Sequence, residues 1–325
     1  MNTLYGPWPD GARRTYGWAT LPITFGFYVL SSLPVLVGTT IFMSILLAEG
    51  QDQDTVTSMM TNSTLGLLMP LLLVQFLIWG WLTRLWVRRF ERRGPADLGL
   101  TGQLAFPRYV IGGVLGIVLV LFVAAAGAFL AGEGVEEAMI EPDFSDLVLP
   151  PMTALLGLCF IASVFLIQGA VEEYVFRGWM MSVLAERWGL WVGVFGSTLI
   201  FGLFHLHVFT SGVAFGLVAM TGITLTGLVF ALICVLTKKL YEAMAAHGLF
   251  NAAAVGLPSF FTLAQNPERT LDDVFAEVLS GATGTAGPDA SVVSAASFAQ
   301  IAVMASVSVV LLILIRLKHK ARHAD

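Results

Sequence analysis

Charge is what this sequence has least of. Only 12% of its 325 residues are Asp, Glu, Lys or Arg, while 57% are hydrophobic; an ordinary soluble domain is about a quarter charged. So little polar surface cannot cover a globule in water, which excludes a soluble domain and makes lipid the solvent. Cysteine is nearly absent as well. The two thiols, Cys159 and Cys234, lie in apolar blocks at no metal-ligand or redox spacing, so no disulfide framework is expected. Basic residues number 17 against 22 acidic ones, a net charge of -5 that speaks against a nucleic-acid partner. His-Glu-x-x-His, Gly-x-Ser-Gly and Gly-x-Gly-Asp are all missing, and the hydrolases marked by those motifs are disfavoured. Residues 1–20 are polar and aromatic, and no signal peptide is expected.

What is present in quantity is uninterrupted apolar sequence. It arrives in blocks near the ~20 residues that a helix needs to cross ~30 Å of hydrocarbon. The blocks predict membrane spans at 21–48, 64–87, 108–131, 151–176, 190–209, 212–236, 240–262 and 298–317. The expected fold class is therefore an all-α polytopic membrane protein, a bundle of about eight transmembrane helices with the lipid bilayer as its partner. Lys and Arg supply an independent check, because they collect in cytoplasmic loops. Of the 17 basic residues, all except Arg269 fall on one side of this arrangement, so both termini are expected in the cytoplasm of a multi-pass cell-membrane protein. The opposite loops are acidic, with Asp52 and Asp54, then Glu133 to Asp146, then Glu268 to Glu277. Residues 280–297 are rich in Gly, Ala, Ser and Thr and read as part of a mobile external loop.

Ionisable groups inside spans cost several kcal/mol and mark function by default. Here they cluster in the fourth, fifth and seventh spans as Glu172, Glu173, Arg177, His205, His207 and His247. Helical geometry separates the adjacent carboxylates by about 100°. Glu173 and Arg177, at i and i+4, can neutralise each other, leaving Glu172 for a different partner. If the fourth and fifth spans form a hairpin turning at Trp188 and Gly189, position 205 lies level with position 172, and His205 is that partner. Phe201 would wall the site, and His207 points away. His247 and Asn251, again at i and i+4, present an imidazole and an amide side by side, as an oxyanion hole or as a polar seam between helices. Counting from the basic ends places His247 at ~12 Å depth and Glu172 with His205 at ~24 Å. The levels meet only if the hairpin tip, 179–191, projects into the interface or cytosol.

A proton- or metal-coupled transporter also places Glu and His in helices, but the internal repeats and broken helices of such proteins are not found here. A catalytically silent scaffold or immunity protein is the other alternative. The ordered set Glu172-Glu173-x-x-x-Arg177-Gly178, Phe201-x-x-x-His205 and His247-x-x-x-Asn251 resembles the CAAX prenyl endopeptidase type 2 and bacteriocin-processing (CPBP, or Abi) family of intramembrane proteases, over about residues 150 to 256. The resemblance implies an eight-helix bundle and hydrolysis of a peptide or membrane-protein substrate. It implies that Glu172 activates water, His205 helps to hold that water, and His247 with Asn251 stabilises the oxyanion, with Glu173 and Arg177 in support. It leaves open a glutamate-dependent reaction or a zinc enzyme with Glu172, His205 and His247 as ligands. On this reading residues 1–149 hold the first three helices, 150–262 the catalytic core, 263–297 a flexible external loop, and 298–325 the last helix with a basic cytoplasmic tail.

Overall fold

The computed structural model describes residues 4–53, 55–56, 64–102, 104–132, 148–283 and 295–321. The acidic loop from Glu133 to Asp146 and most of the Gly/Ala/Ser/Thr-rich stretch lie outside these residues. Among the described residues the chain is helical and contains no strand. The helices are α1 (Thr20–Ala48), α2 (Met69–Leu85), α3 (Ala105–Ala131), α4 (Met152–Glu173), α5 (Met181–Trp188), α6 (Leu190–Leu203), α7 (Val213–Thr237), α8 (Tyr241–Gln265), α9 (Leu271–Thr283) and α10 (Ala295–Ala321).

Among the described residues six helical stretches are long and apolar enough to cross a membrane: Gly17–Ala48, Gly66–Glu91, Ala105–Ala131, Met152–Trp188, Val213–Thr237 and Ala295–Ala321. Their outward faces carry large bare side chains, among them Leu36, Ile41, Ile111, Phe122, Val310 and Ile313, each more than half exposed. No protein keeps such a belt in water, so these faces meet lipid. The chain is an all-α polytopic membrane protein.

The other two expected spans differ from the sequence reading. The fifth, 190–209, is a helix of only 14 residues, α6, or about 21 Å at 1.5 Å per residue. It ends at Leu203 and passes into a short 3-10 helix, Leu206–Ser211. The seventh, 240–262, is the 25-residue α8, long enough to cross but less apolar. α8 packs on α3, α4 and α7, with Ala243, Ala245 and Ala246 wholly buried. A helix surrounded by protein needs small residues for close packing more than a greasy surface for lipid.

Two further expectations change. α4 continues through a π-helical segment, Tyr174–Met180, into α5, giving one helical stretch of 37 residues from Met152 to Trp188. That is about 55 Å long, well beyond a ~30 Å hydrocarbon core. The expected tip is not bathed in water: Trp179, Met180, Met181 and Val183 are completely enclosed. The N-terminal segment and the turn after α2 cover it. Trp179 Nε1 and Thr15 Oγ1 both donate to Glu91 Oε1, and Arg93 donates to Glu91, to Ser182 Oγ and to the Asp97 carbonyl. The expected loop over 263–297 contains α9 instead. Thr270 Oγ1 accepts from the Asp273 N–H and caps its start. Leu271, Val274 and Phe275 form a buried stripe, clustered with Leu263 of α8, which an i, i+3, i+4 spacing directs to one face.

Candidate active site

Glu172 and Glu173 are the last two residues of α4, where the ladder widens into the π-helical segment. Such a bulge changes the pitch locally and is frequent at functional sites. Glu173 and Arg177 have no exposed side-chain surface. Arg177 Nη1 donates to Glu173 Oε1 at 2.8 Å, Nη2 donates to the Gly227 carbonyl of α7 at 2.7 Å, and the guanidinium lies over the Phe201 ring at 4.4 Å. This is the i, i+4 pair expected from spacing, and it fills the apolar space between α4, α6 and α7.

His247 completes the group. Its Nδ1 donates to the same Glu173 oxygen at 2.9 Å, and its Nε2 lies 3.4 Å from Glu172 Oε2. With Glu173 held as an anion by Arg177, Nδ1 must carry a proton, because an ionised carboxylate can only accept. Phe230 of α7 stacks on the imidazole face at 4.8 Å between centroids, and Phe201 meets its edge at 5.8 Å. Glu172 and His247 are only 5% and 4% exposed. Glu172 Oε2, Glu173 Oε2 and Arg177 Nε make no hydrogen bond to any described residue. Two carboxylates, one guanidinium and one imidazole are electrically neutral when Glu172 and His247 together hold one proton beyond the Nδ1–H. The Arg177 guanidinium offsets one of the two buried carboxylates, which lowers the cost of burying the group.

The partner of Glu172 is therefore His247 and not His205. The hairpin count treated α6 as a full-length return helix, whereas it stops at Leu203. His205 sits half-buried at the bend beyond, its Nδ1 3.0 Å from the Phe201 carbonyl and its ring 4.8 Å from the Phe201 ring. No ion pair or hydrogen bond joins it to Glu172. Asn251 is one turn along α8 from His247 and half-buried, and its amide bonds to no described residue. The zinc set of Glu172, His205 and His247 is likewise not assembled: among the described residues no three His, Cys, Asp or Glu side chains are placed to hold a metal. His247 has a carboxylate at each ring nitrogen, and His205 is turned onto its own helix end.

Three contributions were not read from the sequence. Gly169 of α4 and Gly248 of α8 let the two backbones touch beside His247; a Cβ on Gly169 would stand 2.5 Å from the Gly248 nitrogen. Gly227 gives Arg177 its carbonyl and its space, since a Cβ there would lie 2.7 Å from Nη2. The Tyr5 hydroxyl donates to the Arg177 carbonyl at 3.1 Å, and burial pushes its pKa well above the usual tyrosine range, so it stays protonated and a donor. A small residue directly after a candidate histidine, as at Gly248, is the signal that would have pointed to the close crossing.

Compared with known families, residues 153–253 match the one described as type II CAAX prenyl endopeptidase Rce1-like. Comparison with curated proteins and with solved structures found no match.

Proposed function

We propose that this protein, whose residues 153–253 match the family described as type II CAAX prenyl endopeptidase Rce1-like, is an intramembrane endopeptidase that cleaves a peptide or membrane-protein segment near the cytoplasmic face by a glutamate-dependent reaction. The observation that carries the proposal is the single buried imidazole flanked by Glu173 at 2.9 Å and Glu172 at 3.4 Å, with Glu172 Oε2 otherwise unpartnered.

Each group then has a role set by what surrounds it. Glu172 is the general base. It takes a proton from a water molecule as the water oxygen bonds to the scissile carbonyl carbon and the C=O electron pair moves onto oxygen. The same proton passes to the amide nitrogen as the C–N bond breaks, leaving a carboxyl group and an amine. Glu173 fixes the His247 ring through Nδ1, so Nε2 faces Glu172 and the reacting atoms. As imidazolium, His247 donates from Nε2 to the developing oxyanion, and the Asn251 amide, one turn further along the same face, is the second donor. Arg177 keeps Glu173 ionised. His205, whose Nδ1 is tied to the Phe201 carbonyl, presents Nε2 toward water and substrate. The residues do not fit a zinc site as arranged, so no step runs through a metal.

The test is turnover of a quenched fluorescent farnesylated CAAX peptide, and of its unmodified counterpart, by the full chain in liposomes. Glu172→Gln is expected to lower kcat by about 10² to 10⁴, His247→Ala comparably, and His205→Ala by less. Wild-type cleavage by Glu172→Gln would overturn the assignment of the base.

A further inference from the structure

A second polar feature lies apart from the four-residue group, at the basic end of α2. There the helix turns π-helical over Trp86–Glu91 and stops at Arg92, whose φ of 61° is left-handed. That backbone is unfavourable for a residue with a Cβ. The turn gathers Arg84, Arg88, Arg92 and Arg93 around a cavity of about 620 Å³ that Tyr174 and Leu100 also line. The volume falls within the ~300–1,000 Å³ of small-molecule sites.

The cationic balance of this cavity is uncompensated. The side chains of Arg84, Arg88 and Arg92 are exposed and form no ion pair with any described residue; the ion pairs of this end join Arg14 to Glu186, Arg93 to Glu91 and Arg108 to Glu242. Arg93 is different. It is 2% exposed, held by Glu91, Ser182 and the Asp97 carbonyl and stacked on Trp8 at 4.1 Å, yet its Nε has no hydrogen-bond partner among the described residues. Both carboxylates close to the turn are occupied: Glu91 pairs with Arg93 and accepts from Trp179 Nε1, and Asp97 accepts from the Gly94 N–H at 2.7 Å. A buried guanidinium with a spare donor, beside three exposed ones that form no ion pair with a described residue, is a receptor for an anion with several oxygens. Its place is the end of a membrane span, where basic pockets meet lipid headgroups.

We propose that this cavity binds a phosphate group, the phosphodiester of an anionic phospholipid headgroup or a free phosphate of the same chemistry. Tyr174 directly follows Glu173 in the chain, so an occupied cavity abuts the helix that carries the candidate base.

The experiment uses the full chain purified in detergent and returned to phosphatidylcholine nanodiscs with increasing phosphatidylglycerol, followed by native mass spectrometry of retained lipid. A parallel arm titrates inorganic phosphate against thermal unfolding. The wild type is expected to retain phosphatidylglycerol, and Arg84→Gln/Arg88→Gln/Arg92→Gln to need at least about tenfold more for equal occupancy. Its unfolding temperature in pure phosphatidylcholine should be unchanged, and Arg88→Gln alone should give a smaller loss in the same direction. Stabilisation by phosphatidylglycerol alone identifies the lipid as the source. Arginine-dependent stabilisation by inorganic phosphate as well identifies a free-anion site. Equal retention by the wild type and the triple variant would overturn the proposal. So would an equal loss in Arg316→Gln/Lys318→Gln/Lys320→Gln, which removes the same charge from the tail.

Discussion

Exchanging each carboxylate for its amide separates the roles of Glu172 and Glu173, because the two sit in unlike surroundings two atoms of backbone apart. Glu173 Oε1 accepts from both Arg177 Nη1 and His247 Nδ1, in a place with no exposure on either side of the ion pair. Glu173→Gln leaves Arg177 as a buried cation without an anion, which costs about 3 kcal/mol or a little more, a factor of about 10² in the folded population. Glu172 gives up only a 3.4 Å approach to His247, so Glu172→Gln should cost less than about 1 kcal/mol while it removes the base. The protein carries its own reporter. Cys234 is wholly buried and Cys159 exposed, so in a Cys159→Ala background a thiol dye reads unfolding through Cys234 alone. Glu173→Gln should release that thiol at a clearly lower temperature than wild type, and Glu172→Gln close to it. Removing the stranded charge in Glu173→Gln/Arg177→Met should recover stability relative to Glu173→Gln. Equal destabilisation by the two single amides, or no gain in the double variant, would refute the division of roles.

Three other outcomes are expected. Gly248→Ala, whose Cβ would stand 2.7 Å from the Leu166 Cα, should lose both cleavage and about 1–3 kcal/mol of stability by parting α4 from α8, whereas Gly256→Ala, with nothing within 4 Å, should change neither; activity and thiol release measured side by side decide it. Tyr5→Phe should lower stability by about 0.5–1.5 kcal/mol through loss of the bond to the Arg177 carbonyl, read by the same dye, with a result equal to wild type showing that the N-terminal segment does not brace the site. Arg89→Cys should react with an impermeant maleimide only from the cytoplasmic side of sealed vesicles; labelling from the outside would reverse the proposed orientation.

Composition and hydrophobic block length determine that this chain lives in lipid, because no arrangement of so few polar residues can face water. They also place the chemistry: in a bilayer a buried charge needs a partner, so the crowding of Glu172, Glu173, Arg177 and His247 into a few spans announces a site before any contact is known. The Glu173–Arg177 pair was legible because its spacing lies within one helix, where 3.6 residues per turn leaves no freedom. The partner of Glu172 was not legible, because it depends on which helix crosses α4, and that was decided by two glycines, Gly169 and Gly248, that let α8 approach where α6 had been expected. The length of a return helix is equally a tertiary matter. α6 is as apolar as its neighbours but ends after 14 residues, and His205 falls beyond it. The same holds for the tip of the long helix, which its tryptophans marked as interfacial, and which Glu91, Arg93 and the N-terminal segment enclose instead. Local periodicity fixes which side chains share a face. Only the packing of one helix on another, set by the few positions without a side chain, decides which faces meet.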